Sequence, residues 1–424
     1  MLELSVLMIL RGDPILGDLL SDLPEDCLKF HDARMAEPFY MVDRQSKNMD
    51  GQPPRRWSPH LSHKWTSTRA MTLASATAMV CAVLFTASSG IMPANASSDM
   101  EAIRAIIDNV DTANVMSTVE DLEDFGSRSF VLESSRQSAL YIYERFAEIG
   151  LETEIQEFTV GDAISSNVIA TIPTSSGSEG LFLFGAHYDS ENYLADDLTD
   201  TELLPAPGAD DDASGIAAII EMARVLVDVD LHNTVKFVAF GAEEYGYDHS
   251  GGCAGSAYFV EQEVANGETY EGSAILDMIG YRVGIDNIVT IITKEDSNLM
   301  AETTKEMIRW LDLGLKINLV KAPNIVFSDH SSFWEADFPS MLVTEEVSEY
   351  TLVPINPYYH TSLDTIDTLS EEQIGVTAQA LVSSIIWLSA EDGGGASIIL
   401  GIVIITVATI AVTMFFAMQR RRKK

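Results

Sequence analysis

The chain has 424 residues, 46% of them hydrophobic, enough for one large domain or two ordinary ones with a sizeable core. Its formal net charge is −38, which argues against a nucleic-acid partner, because such binding rests on basic patches. The charge is concentrated in residues 97–395, which hold 12 Lys and Arg against 54 Asp and Glu, while the flanks together are slightly basic. Such an acidic middle fits a very soluble surface adapted to salt or to the cell exterior, or simply the composition of a lineage.

In chain order, residues 1–70 show no clear role and are expected to be absent from the mature protein, with Met49 or Met71 as the real start. Arg55, Arg56, Lys64 and Arg69 precede a charge-free run from Ala70 to Ser98. Its apolar centre is Ala78 to Phe85, and Ala94 and Ala96 make an A-x-A pattern. This has the form of a signal peptide over 71–96, cut after Ala96, with a retained N-terminal anchor as the alternative.

The middle, 97–392, reads as α/β. "ESSRQSALYIYERFAEIGL" has helical spacing, with Ala139, Ile142, Phe146 and Ile149 on one side and Gly150 as its stop. "ETEIQEF" alternates like a strand, and "NVIATIP", "GLFLFGAHYD", "TVKFVAFGAEE" and "NIVTIIT" are short β-rich apolar runs. "ASGIAAIIEMARVLVDV" is an apolar helix between two of them. Strands alternating with helices predict a largely parallel sheet covered by helices, with sites gathered where strands end.

At the other end, Gly393 to Gly395 form a flexible joint. Residues 396–418 then read "ASIILGIVIITVATIAVTMFFAM", long enough to cross a bilayer as a helix, which needs about 20 apolar residues. The tail, 419–424, ends in "RRRKK", which places it on the cytoplasmic side and the main domain outside. Of Cys27, Cys81 and Cys253 only Cys253 survives signal cleavage, so no intramolecular disulfide is expected. Cys253 lies in the small-residue stretch "SGGCAGSAYF" and reads as packing rather than as a nucleophile.

The strand ends carry the chemistry. After "LFLFGA" come His187, Tyr188 and Asp189; after Pro207-Gly208 come Asp210, Asp211 and Asp212. Glu243 and Glu244 follow "VKFVAFGA", Asp277 follows "SAIL", and Tyr359 and His360 sit in "NPYYHTSLDT". Each alone is more often a surface pair or a solvated edge, but the conjunction points to a cation site. Mixed His and carboxylate donors suit zinc-type divalent ions, and five donors with one shared carboxylate suit two of them about 3.5–4 Å apart.

Across residues 100–390 the chain resembles the M28 family of zinc metallopeptidases, of the bacterial secreted leucine aminopeptidase type. The stretches that carry the resemblance are "GAHYDS", "PGADDDASGIAA", "GAEEYG", "ILDMIGY", "SDHSSFW" and "NPYYHTSLDT". The resemblance implies a three-layer sandwich, with a mixed, mostly parallel sheet of about eight strands between helices. It implies two Zn²⁺ per chain, one on His187 and Asp277, the other on Glu244 and His360, bridged by Asp211. It further implies that Asp189 orients His187, that the Asp211–Asp212 peptide is cis, and that Glu243 is the general base. Tyr359 is its candidate oxyanion donor, since the tyrosine some relatives carry before "SDH" is missing from "APNIVFSDH". Asp329 and His330 are expected to support the site rather than bind metal.

The resulting expectation is an extracellular, single-pass aminopeptidase acting on peptides through a metal-activated water. A carboxypeptidase or a glutaminyl cyclase on the same site, or a non-catalytic receptor-like ectodomain, are the alternatives. The acidic stretch 191–206, "ENYLADDLTDTELLPA", reads as a solvated rim loop or a weak Ca²⁺ site. The mature protein is expected to begin at Ser97, which intact-mass measurement of the purified protein checks; an N-terminus upstream of Met49 overturns the processing scheme.

Overall fold

The computed structural model describes residues 96–174, 180–193, 204–244, 252–295, 298–348 and 351–390. The N-terminal extension, nearly all of the signal segment, the Gly joint, the 396–418 span and the basic tail lie outside the described residues. Among those described, no helix is long and apolar enough to cross a membrane.

Three helices lead in: α1 (Ala96–Ile107), α2 (Thr112–Glu123) and α3 (Glu133–Ile149). The third buries Ala139, Ile142 and Phe146 on one face, as its spacing predicts. It stops at Gly150, whose φ of 97° few other residues adopt and whose N–H bonds back to the last turn. Strands β1 (Glu152–Val160) and β2 (Ala163–Ile172) form a tight antiparallel hairpin. Then come β3 (Leu181–His187), a kinked turn at Ala209–Ser214, α4 (Gly215–Leu226) and β4 (Thr234–Phe240). The chain continues through α5 (Ala254–Asn266), β5 (Tyr270–Leu276), β6 (Asn287–Thr293), α6 (Leu299–Leu311) and β7 (Leu315–Lys321). It closes with α7 (His330–Glu335), β8 (Ser340–Thr344), a 3₁₀ turn at Ile366–Thr368 and α8 (Glu371–Leu388).

The eight strands make one mixed sheet in the order β1-β2-β4-β3-β5-β8-β6-β7. Its middle is parallel: β3 pairs with β4 and β5, and β5 with β8. These strands are covered on both faces, so each reads as a continuous apolar run. Alternate residues go to opposite layers. Phe182, Phe184 and Ala186 of β3 join Phe237 of β4 and residues of α1–α4, α6 and α8 in the larger core. Leu181 and Leu183 join Phe240 and, from α5 and α7, Phe259, Phe333 and Trp334 in the smaller one. Two helical layers around one sheet is the expected three-layer sandwich.

Parallel pairing has one consequence for function. The carboxyl ends of β3, β4, β5 and β8 all open on the same edge of the sheet, where His187, Glu243, Asp277 and Glu345 leave the core.

The larger core is tied by Phe237, fully buried, with ring centroids 5.8 Å from Phe184 and 6.3 Å from Phe146. Phe237→Ala is expected to cost about 3–5 kcal/mol of unfolding free energy, read from the denaturation midpoint in urea.

Candidate metal centre

The chain leaving β3 alternates as a strand does, and its two sides have different tasks. Ser190, Asn192 and the backbone of Tyr188 serve the turn before the aspartates, while the Tyr188 hydroxyl donates to the Ser166 carbonyl (2.8 Å). The Tyr188 carbonyl accepts from Arg128 Nε (2.7 Å), Ser190 Oγ donates to the Ala206 carbonyl (2.7 Å) and Asn192 Nδ2 donates to the Pro205 carbonyl (2.8 Å). His187 and Asp189 face the acidic cluster. The His187 Nδ1 lies 3.2 Å from the Asp189 carbonyl and 3.7 Å from its carboxylate. That carboxylate accepts the backbone N–H groups of Glu243 (2.9 Å) and Glu244 (3.2 Å). Asp189 therefore does more than orient His187: it fastens the loop that carries both glutamates.

Pro207 and Gly208 then turn the chain into "ADDDAS". Gly208 has φ 55°, and a Cβ there would stand 2.4 Å from the Asp211 carbonyl oxygen, so no other residue fits. The three aspartates are all buried and have separate partners. Asp210 accepts N–H from Gly280 (2.7 Å) and Tyr281 (3.3 Å) and the Asn356 amide (2.8 Å). Asp212 accepts N–H from His187 (3.2 Å), Gly215 (2.9 Å) and Met278 (3.2 Å). The peptide between Asp211 and Asp212 is cis, as the family resemblance implies. Asp364 holds the triplet from below, accepting the N–H of Asp210 (3.0 Å) and of Asp211 (3.1 Å).

Asp211 is left facing the centre. Its Oδ1 lies 3.1 Å from His187 Nε2 and its Oδ2 lies 3.0 Å from His360 Nε2. Asp277 Oδ1 is 3.7 Å from His187 Nε2, and Glu244 Oε2 is 2.9 Å from His360 Nε2. Two groups of donor atoms result, each within 4.8 Å of one another: His187, Asp211 and Asp277, and Glu191, Glu244 and His360. Among the described residues Glu244 Oε1 is buried without a hydrogen-bond partner, and Asp211 Oδ2 meets only the ring nitrogen of His360, as suits carboxylates built to meet a cation. Nitrogen and carboxylate donors in this mixture fit zinc. Burial pushes the Asp211 carboxyl up, but the two histidines outweigh it and hold it below the usual range.

All five expected metal ligands thus come together. Glu243 joins them, buried, on the loop held by Asp189. Burial raises its carboxyl well above the ordinary range, against the pull of His187 and with the push of Asp329, Glu244 and Asp277. The Cys253 thiol donates to Glu243 Oε1 at 3.3 Å, so this residue touches the site rather than merely packing. Burial, with Glu243 and Asp329 beside it, raises the thiol far above its usual value, which agrees with its not being a nucleophile. Tyr359 sits at the rim, 38% exposed, its ring stacked on His360 at 3.7 Å between centroids. Asp329 and His330 are buried outside both donor groups, with His330 Nε2 on the Ile325 carbonyl at 2.9 Å.

The sequence reading missed Arg128, Glu191 and Asp364. Arg128 is fully buried and gives its guanidinium to four carbonyls, of Tyr188, Leu122, Pro207 and Gly208. It is the cation under the aspartate turn, and an arginine in a stretch without helix or strand periodicity was its signal. Asp364 stands in the "NPYYHTSLDT" stretch already singled out for His360. Of the acidic stretch 191–206, residues 194–203 lie outside the described residues.

A helix-covered α/β sheet with His and carboxylate donors gathered at its parallel strand ends defines a candidate metalloprotein of the α/β class. The model of peptidase family M28 matches residues 167–385, just over half the chain, and the chain belongs to that family. It is 31% identical over 264 residues to leucine aminopeptidase 1 of Ajellomyces capsulatus, an alignment covering 58% of this chain and 63% of that relative. Its fold matches LapB from Legionella pneumophila with TM-score 0.59 at 24% identity, over 68% of this chain and 75% of that one. It also matches BSAP, a zinc aminopeptidase from Bacillus subtilis, with TM-score 0.56 at 17% identity, over 67% and 96% of the two chains.

Arg128→Met would strip buried carbonyls of their donors and is expected to cost about 3 kcal/mol or more of stability. The exposed Arg309→Ala is expected to stay within about 0.5 kcal/mol, and chemical denaturation of the two variants side by side checks the contrast.

Proposed function

We propose that the chain is an extracellular, membrane-anchored aminopeptidase that holds two Zn²⁺ ions and releases N-terminal residues from peptides. The observation that carries the two-ion reading is the Asp211 carboxylate, which turns one oxygen to each histidine. His187 and Asp277 would hold one ion with Asp211 Oδ1, and Glu244 and His360 the other with Asp211 Oδ2. Bound there, the ions would polarise the scissile carbonyl and lower the pKa of a water toward neutrality. Support for peptide substrates comes from membership of family M28 and from the leucine aminopeptidase relatives.

The chain's own groups then have defined work. Glu243 takes the proton of the attacking water and hands it to the leaving amine, and its buried, acid-crowded surroundings favour the protonated form it must pass through. Asp189 keeps that carboxyl in register through the Glu243 and Glu244 N–H groups. Tyr359 donates from the rim to the oxyanion of the tetrahedral state. Export and anchoring rest on the A-x-A pattern before Ser97, the uncharged 396–418 run and the basic residues after it.

The test uses the full-length protein loaded with zinc and a peptide offered with a free or an acetylated N-terminus. Cleavage of the free form alone, abolished by chelator, is expected; equal cleavage of both from the C-terminal end overturns the aminopeptidase assignment. Glu243→Gln is expected to keep its zinc and lose about 10²–10⁴-fold in kcat, and unchanged turnover refutes its role as base.

A further inference from the structure

Glu191 opens the acidic stretch after β3, and no role in the chemistry above has been given to it. Its Oε1 lies 3.0 Å from Nδ1 of His360. The other ring nitrogen, Nε2, faces Asp211 and Glu244 at 3.0 and 2.9 Å. Although a Glu191 oxygen lies within 4.8 Å of donor atoms of Glu244 and His360, its Oε1 is paired with Nδ1, from which it can accept a hydrogen bond, and Nε2 is left to the other two carboxylates. Two residues on, the Tyr193 N–H donates to the His360 carbonyl at 3.0 Å. His360 needs both holds: its φ is 54°, a left-handed backbone that non-glycine residues adopt only where surroundings impose it.

We infer that Glu191 is the positioning residue of His360: its carboxylate accepts a hydrogen bond from Nδ1–H, fixes the tautomer and leaves the Nε2 lone pair for a divalent cation. This rests on the two-ion reading above. It mirrors the first half of the centre, where His187 Nδ1 faces Asp189 while Nε2 faces Asp211 and Asp277. One segment thus serves both histidines, through the side chains of Asp189 and Glu191 and the backbone N–H of Tyr193. A metal-bound imidazole whose other nitrogen is anchored by a carboxylate is both oriented and more basic. Because the Glu191 side chain is 38% exposed, its value lies in orientation and not in the stability of an ion pair.

The test measures zinc occupancy of the full-length protein against buffered free zinc, for wild type, Glu191→Ala and Glu191→Gln, with the melting transition of each recorded. Wild type is expected to hold two ions. In Glu191→Ala one of them should be lost at a free-zinc concentration about 10–100-fold higher than in wild type, with the other unchanged. Glu191→Gln, which keeps an acceptor oxygen, should fall between, and kcat of Glu191→Ala should recover with added zinc while KM stays level. Wild-type affinity for both ions in Glu191→Ala, or equal weakening of both, overturns the inference. Fewer than two ions in wild type overturns the two-ion reading itself, and the inference with it.

Discussion

A buried carboxylate that offers one oxygen to each of two histidines is the constraint around which this molecule is organised. Asp211 could not hold that position alone, since a buried charge is costly unless its surroundings compensate it. The compensation is distributed. Its own N–H is held by Asp364, and its two neighbours turn away to backbone N–H groups on the exits of other strands. Three adjacent aspartates, which would repel one another in solution, thus become three bolts pointing in three directions. Asp210 grips 280–281, Asp212 grips 187 and 278, and only the middle one is free to face the centre.

The sheet supplies the common edge on which this can happen. Parallel pairing of β3 with β4 and β5 brings three strand exits side by side, so that residues far apart in the chain meet without long reaches. The segment after β3 then works on two sides at once. Its odd residues address the histidines and the glutamate loop, while its even residues and Arg128 clamp the Pro207–Gly208 turn. Misplacing that turn would displace Asp211, which explains why a fully buried arginine is spent on carbonyls rather than on a carboxylate. Arg128 lies close enough to the acids to feel Asp364, Asp189, Asp211 and Asp212, yet burial still lowers its pKa.

Around Glu243 the same economy appears in another form. Its carboxyl is crowded by Asp329, Glu244 and Asp277 and hydrogen-bonded by the Cys253 thiol. The Cys253 N–H also bonds the Glu243 carbonyl at 2.5 Å, so the start of α5 and the glutamate loop are joined through one residue at positive φ. A carboxyl in such a place keeps its proton more readily than a solvated glutamate does. Tyr359, in contrast, stacks on His360, and its exposure keeps it at the rim of the centre.

Much of this was legible in the chain alone, because it depends on local order. Apolar runs broken by Gly and by acids marked the strands, the spacing of Ala139, Ile142 and Phe146 marked α3, and the acids and histidines that follow the apolar runs marked a cation site, within which the family resemblance singled out the five candidate ligands and Glu243. What the chain could not disclose are relations set by long-range contact. That Asp189 serves the glutamate loop 54 residues away, that Cys253 touches Glu243, and that Arg128 lies beneath the aspartates follow from sheet order and turn geometry. Glu191 is the clearest case. In sequence it is the first acid of a hydrophilic stretch, and nothing local distinguishes it from those that follow. Only the folding of residue 360 back onto the exit of β3, 169 positions earlier in the chain, gives its carboxylate a histidine to hold. Residue type set which groups could do chemistry here; the tertiary structure decided which nitrogen of each histidine faces the centre, because that choice is made by the neighbour on the opposite side of the ring.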